Sequence, residues 1–70
     1  MEPMDKKEFG KKIKLARVES ALTQEQLAVK IKTKQKNISR YETGSSMPSI
    51  ETLVKIANVL RKKVGYFFNE

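Results

Sequence analysis

Apolar residues return along this chain every three or four positions, in short runs separated by polar or glycine-containing breaks. That period predicts helices rather than strands. Asp5 and Glu8 are spaced as a capping box for a first helix, on which Phe9, Ile13 and Ala16 share one face while Lys7, Lys11 and Lys14 fall away from it. Arg17 continues that seam and Ser20-Ala21 ends it. Leu22 then anchors the chain before Thr23, the expected cap of a second helix with Gln26 as its reciprocal partner; Leu27, Ala28 and Ile31 form the buried side. After a link at Lys32-Thr33, a third helix is predicted from Lys34 or Gln35 through Tyr41, burying Ile38 and part of Tyr41. The stretch from Glu42 to Pro48 is a breaker, with Gly44 suited to a positive-φ exit. Ser49 caps a fourth helix with a broad apolar stripe of Ile50, Leu53, Val54, Ile56, Ala57 and Leu60. Val64 to Phe68 reads as a short fifth helix that closes the core. The expectation is an all-α, compact five-helix domain over residues 5–69, with a flexible segment at residues 1–4.

Composition narrows what such a domain can do. Seventy residues allow one small core, burying about 60% of the unfolded chain's surface. There is no Cys and no His, so neither disulfides nor thiolate metal centres are available, and the commonest proton shuttle is missing. With the carboxylates scattered, no catalytic constellation emerges, no cofactor is expected, and an enzyme is not the reading. No apolar run is long enough for a spanning helix, and the acidic start does not resemble a secretory signal. A cytoplasmic protein without a membrane partner is expected. Fifteen Lys and Arg against eight Asp and Glu give a net charge of +7, for which phosphate is the natural counterpart. Charge alone does not distinguish DNA from RNA, anionic lipid or a solvated surface.

The second and third helices, with their tight link, suit a helix-turn-helix, which presents the front of its second helix to a nucleic-acid groove. There, Gln35, Lys36, Asn37 and Arg40 offer donors and acceptors to base edges: Gln and Asn to adenine, Arg and Lys to guanine. An ordinary solvated face is the competing reading of these four. Thr23 and Gln24 begin the preceding helix, where free amides favour phosphate. Lys34, Ser39, Thr43, Ser45 and Ser46 are flanking phosphate candidates, with capping or solvation as the alternative at each. Arg17 and Glu42 are candidates for an ion pair across the bundle, against a solvent-exposed alternative. Val64, Tyr66, Phe67 and Phe68, near the end of the fourth helix, are candidate contacts of a homodimer; completion of the monomer core is the other role open to them.

Phe9, Ile13, Ala16-Arg17, the run from Leu22 to Ala28 (LTQEQLA), Ile38 to Glu42 (ISRYE), Gly44, Pro48-Ser49, Thr52-Leu53 and Ile56-Ala57 together resemble the Cro/C1-type, or Xre, helix-turn-helix family over residues 9–68. The resemblance implies a lambda-repressor-like fold and binding of double-stranded operator DNA to control transcription. It implies that Gln24 touches phosphate, that Gln35 and Lys36 read bases with help from Arg40, and that Arg17 pairs with Glu42. A homodimeric repressor on a palindromic operator is the leading expectation. An activator, a restriction-control protein, a phage repressor and an antitoxin with a toxin partner are the alternatives within the family, and an RNA-binding or protein-interaction module lies beyond it. The chain departs from the family pattern where Lys32 replaces the turn glycine, Thr33 a small aliphatic residue and Lys34 a cap. Arg61 and Lys63 make the same two replacements before the last helix. A positive-φ Lys and a lost cap each cost about 1 kcal/mol, so a shifted turn with Thr33 as cap is expected. Gly65 weakens the last helix further.

Overall fold

The computed structural model describes residues 5–69, so the expected flexible segment at 1–4 lies outside the described residues. Among the described residues there are four α-helices: α1 Lys6–Glu19, α2 Gln24–Lys30, α3 Gln35–Thr43 and α4 Ile50–Leu60. The expected fifth helix is instead a single 3-10 turn over Val64–Phe68, which corrects the five-helix reading. Its chemistry explains the difference: the segment has five residues, Gly65 lies inside it, and Lys63 gives its amides no side-chain cap.

The helix starts follow the capping chemistry. Asp5 Oδ1 accepts from the Glu8 amide at 2.8 Å, one of the two arms of a capping box. The Thr23–Gln26 box is complete, with bonds of 2.9 and 3.0 Å, and Ser49 Oγ accepts from the Thr52 amide. Lys34 precedes α3 in extended conformation without a side-chain cap, and α3 runs two residues past its expected end. Thr33 does not act as the cap; its hydroxyl accepts from Asn37 Nδ2 at 2.9 Å.

All four α-helices end in one way. After each, an amide donates back across six residues and the one before it donates across four, as Leu22 to Arg17 and Ala21 to Val18. Thr33 to Ala28 with Lys32 to Val29, Ser45 to Arg40 with Gly44 to Tyr41, and Lys62 to Ala57 with Arg61 to Asn58 repeat it. This double closure requires a left-handed residue. Gly44 supplies it at φ +85°, whereas Ala21, Lys32 and Arg61 adopt φ of +59°, +60° and +57° with a Cβ in place.

The core is formed by Phe9, Ile13, Ala16, Leu27, Ala28, Ile31, Ile38, Leu53, Ile56, Ala57, Leu60 and Phe67. α3 packs on α1 and α2, while α4 closes on α2 and meets the 3-10 turn, which also packs on α1. The α4 stripe is narrower than expected: Ile50 and Val54 are 76% and 41% exposed. Val54 lies one 100° step beyond Leu53, and Ile50 is in the first turn. Phe67 is wholly buried against Phe9, which removes it from any surface offered to a second copy.

Candidate nucleic-acid interface

The site is built on α3, whose one face is committed to the core. Ile38 and Glu42 are buried and Tyr41 half-buried. At 100° per residue, Gln35, Ser39, Thr43, Lys36 and Arg40 occupy a contiguous arc on the other face. Gln35, Lys36, Thr43 and Arg40 are exposed and Ser39 is half-buried. Asn37 falls outside that arc, half-buried at its edge, with its amide held by Thr33. Lys34, Ser45 and Thr23 are exposed at the margins and Ser46 is half-buried. Thr43 Oγ1 donates to the Arg40 carbonyl and lies 3.0 Å from Ser45 Oγ, while Thr23 Oγ1 is engaged in its capping box.

Beneath this face lies the Arg17–Glu42 pair. Arg17 Nε donates to Glu42 Oε2 at 2.6 Å and Nη2 to Oε1 at 3.2 Å, with the residues only 9% and 7% exposed. Arg17 Nη1 donates to the Leu22 carbonyl at 2.7 Å, fastening the approach to α2. Glu42 Oε1 also accepts from Gln24 Nε2 at 3.0 Å, and Gln24 Oε1 accepts from Gln35 Nε2 at 3.4 Å. A single connected network therefore runs from α1 through the base of α3 and the start of α2 to the leading side chain of α3. Among the described residues no buried side-chain polar atom lacks a partner. Such a surface can present oriented donors and acceptors without reorganising its support.

Two contributors to this geometry escaped the sequence reading. Gly10 lies on α1 where a Cβ would sit 2.4 Å from the carbonyl oxygens of both Tyr41 and Glu42. Its signal was a glycine inside a helical period, seven residues before Arg17 on the same face. The left-handed Ala21 gave no comparable signal, since among the residue types only glycine, and less often Asn or Asp, marks that conformation.

Comparison with known proteins places this arrangement. The helix-turn-helix family model matches residues 13–67. Over 55 residues the chain is 40% identical to multiprotein-bridging factor 1 of Candida albicans, covering 79% of this chain and 36% of that protein. It is 31% identical over 62 residues to the HTH-type transcriptional regulator ImmR of Bacillus subtilis, covering 89% of this chain and 49% of the other. The chain thus spans about a third to a half of the length of the curated relatives it matches. Among solved structures, PlcR of Bacillus thuringiensis in complex with the peptide PapR7 and DNA is similar at a TM-score of 0.82 and 37% identity, over 89% of this chain and 22% of that one.

Proposed function

Since the chain belongs to the Cro/C1-type helix-turn-helix family of transcriptional regulators, we propose that it binds a preferred sequence of double-stranded DNA with α3 in the major groove. The observation that carries this reading is the exposed arc of Gln35, Lys36 and Arg40, whose first member is held from behind by Gln24 and Glu42. Gln35 and Lys36 read base edges and Arg40 reads or flanks them. Thr23, Gln24, Lys34, Ser39, Thr43, Ser45 and Ser46 set the register on phosphate. Asn37, tied to Thr33, acts at the edge of the surface.

Residues 5–69 act as one DNA-binding domain of a cytoplasmic repressor that works as a homodimer on a palindromic operator. Pairing of two copies through the end of α4 with Val64, Tyr66 and Phe68 would set two α3 helices about one DNA turn apart. Val64 and Phe68, 36% and 40% exposed, support that surface. Selection of genomic fragments followed by footprinting tests the reading. A protected site of two related half-sites is expected, with Gln35→Ala and Lys36→Ala lowering affinity for it more than for random duplex. Sedimentation should give two chains per duplex. One chain per duplex would reject the dimer, and equal losses on both duplexes would reject base reading. The likeness to multiprotein-bridging factor 1 favours a second reading, a module that joins proteins. That reading requires the selection to return no preferred duplex.

A further inference from the structure

We propose that Gly10, which lies away from the exposed arc of α3, is a positioning residue that determines sequence specificity. Its missing side chain lets α3 sit at the depth and tilt at which Gln35 and Lys36 meet base edges. The inference rests on the reading of α3 given above.

The contact is backbone against backbone. A Cβ on Gly10 would lie 2.4 Å from the Tyr41 and Glu42 carbonyl oxygens and 2.7 Å from the Glu42 carbonyl carbon. Ordinary carbon–oxygen contacts begin at about 3.3 Å, so accommodation requires a movement of roughly 1 Å. No side-chain rotation can provide it. The same seam is tight from the other side: Gly44 has φ +85°, and a Cβ there would come within 3.0 Å of the Lys7 nitrogen and 3.1 Å of the Lys6 carbonyl carbon. α1 and the last turn of α3 therefore touch with glycine on both sides.

Displacement at that seam reaches the reading edge by two routes. Glu42 and Gln35 are seven residues apart, about 10 Å along the helix axis. A 1 Å push at one end, with the other held by the short link to α2, tilts α3 by roughly 6°. Glu42 is also the acceptor shared by Arg17 at 2.6 Å and Gln24 at 3.0 Å, so moving its backbone loosens the support of Gln35. Two-point hydrogen bonds to a base are directional and fail with small displacements, whereas long cationic side chains follow a phosphate. Base discrimination should therefore suffer while general DNA affinity survives.

The test compares wild-type and Gly10→Ala chains on the duplex selected by the wild-type chain and on a random duplex. The expected result is a loss of about tenfold or more in the ratio of the two affinities, the scale of one base contact, with little change on random DNA. That ratio is insensitive to partial unfolding, because a reduced folded fraction lowers both apparent affinities by one factor. Ile13→Val, which trims a buried core side chain of α1 and adds no atom at the seam, should leave the ratio unchanged. A preserved ratio in Gly10→Ala, or equal loss on both duplexes up to complete loss, assigns Gly10 to stability alone and overturns the inference while leaving the reading of α3 intact. A wild-type chain with no preferred duplex overturns that reading and the inference with it.

Discussion

Arg17 holds three things at once: the Glu42 carboxylate, the Leu22 carbonyl and, through Glu42, the Gln24 amide that steadies Gln35. The ionic pair is not in itself a large source of stability, because taking both charges out of water offsets most of their attraction. Removing one partner is a different matter, since it strands the other in the bundle. Arg17→Ala is expected to cost about 3–5 kcal/mol, a large share of what a domain this small possesses. Thermal denaturation followed by circular dichroism should show the midpoint falling sharply, and an unchanged midpoint would sink the role given to the pair. The double substitution Arg17→Met with Glu42→Met separates folding from reading. It should recover much of the lost stability by replacing charge with packed apolar volume, yet leave Gln24 without its acceptor. DNA affinity that recovered fully alongside the midpoint would show that the network has no part in presenting Gln35.

The helices themselves show where side-chain chemistry announces structure and where it does not. Asp5, Thr23 and Ser49 mark three helix starts because a short oxygen-bearing side chain can satisfy free amides, and the apolar period exposes the faces of α1 and α2. The arc of α3 was equally legible, since one buried Ile38 and the 100° step place Lys36 and Arg40 opposite the core and Gln35 beside it, at the helix's exposed start. Helix ends are set by backbone hydrogen bonds, which any residue can make at a cost, so only Gly44 was visible in advance from its own residue type. Family spacing pointed to Lys32 and Arg61, and nothing pointed to Ala21. The terminal turn and the exposure of Ile50 and Val54 were hidden for another reason: they depend on which neighbours arrive to cover them. Ala21 offers the cleanest check on the helix ends, being exposed, uncharged and left-handed at φ +59°. Ala21→Gly removes the Cβ strain, about 1–2 kcal/mol, against a smaller gain in unfolded-chain entropy, about 0.4–1 kcal/mol. A net rise in the unfolding midpoint of a few degrees is expected. A lowered midpoint would mean that the left-handed conformation is not strained there.

Charge acts on the whole molecule in two opposing ways. A net charge of +7 on 70 residues draws DNA phosphate toward the surface but also repels itself within a compact fold. Among the described residues the ion pairs are Arg17–Glu42, Lys55–Glu51 and Lys62–Glu19, and only the first is shielded from water. The other two, at 3.9 and 3.6 Å, join an exposed Lys55 and a half-buried Lys62 to exposed carboxylates and contribute little that salt could remove. Tyr66 adds attraction, with Lys12 and Lys62 each 4.7 Å from its ring, but this too leaves most of the positive surface unneutralised. Added salt therefore screens more repulsion than attraction within the free protein, and its unfolding midpoint should rise or hold steady between low and high sodium chloride. On DNA the same salt competes with released counterions, so log affinity should fall linearly with log salt, with a slope of about −0.9 for each phosphate engaged. Denaturation of the free chain and duplex titration over one salt series should thus diverge. If both fell together, lost affinity would reflect unfolding rather than phosphate contact, and the positive surface would not be what draws the chain to DNA.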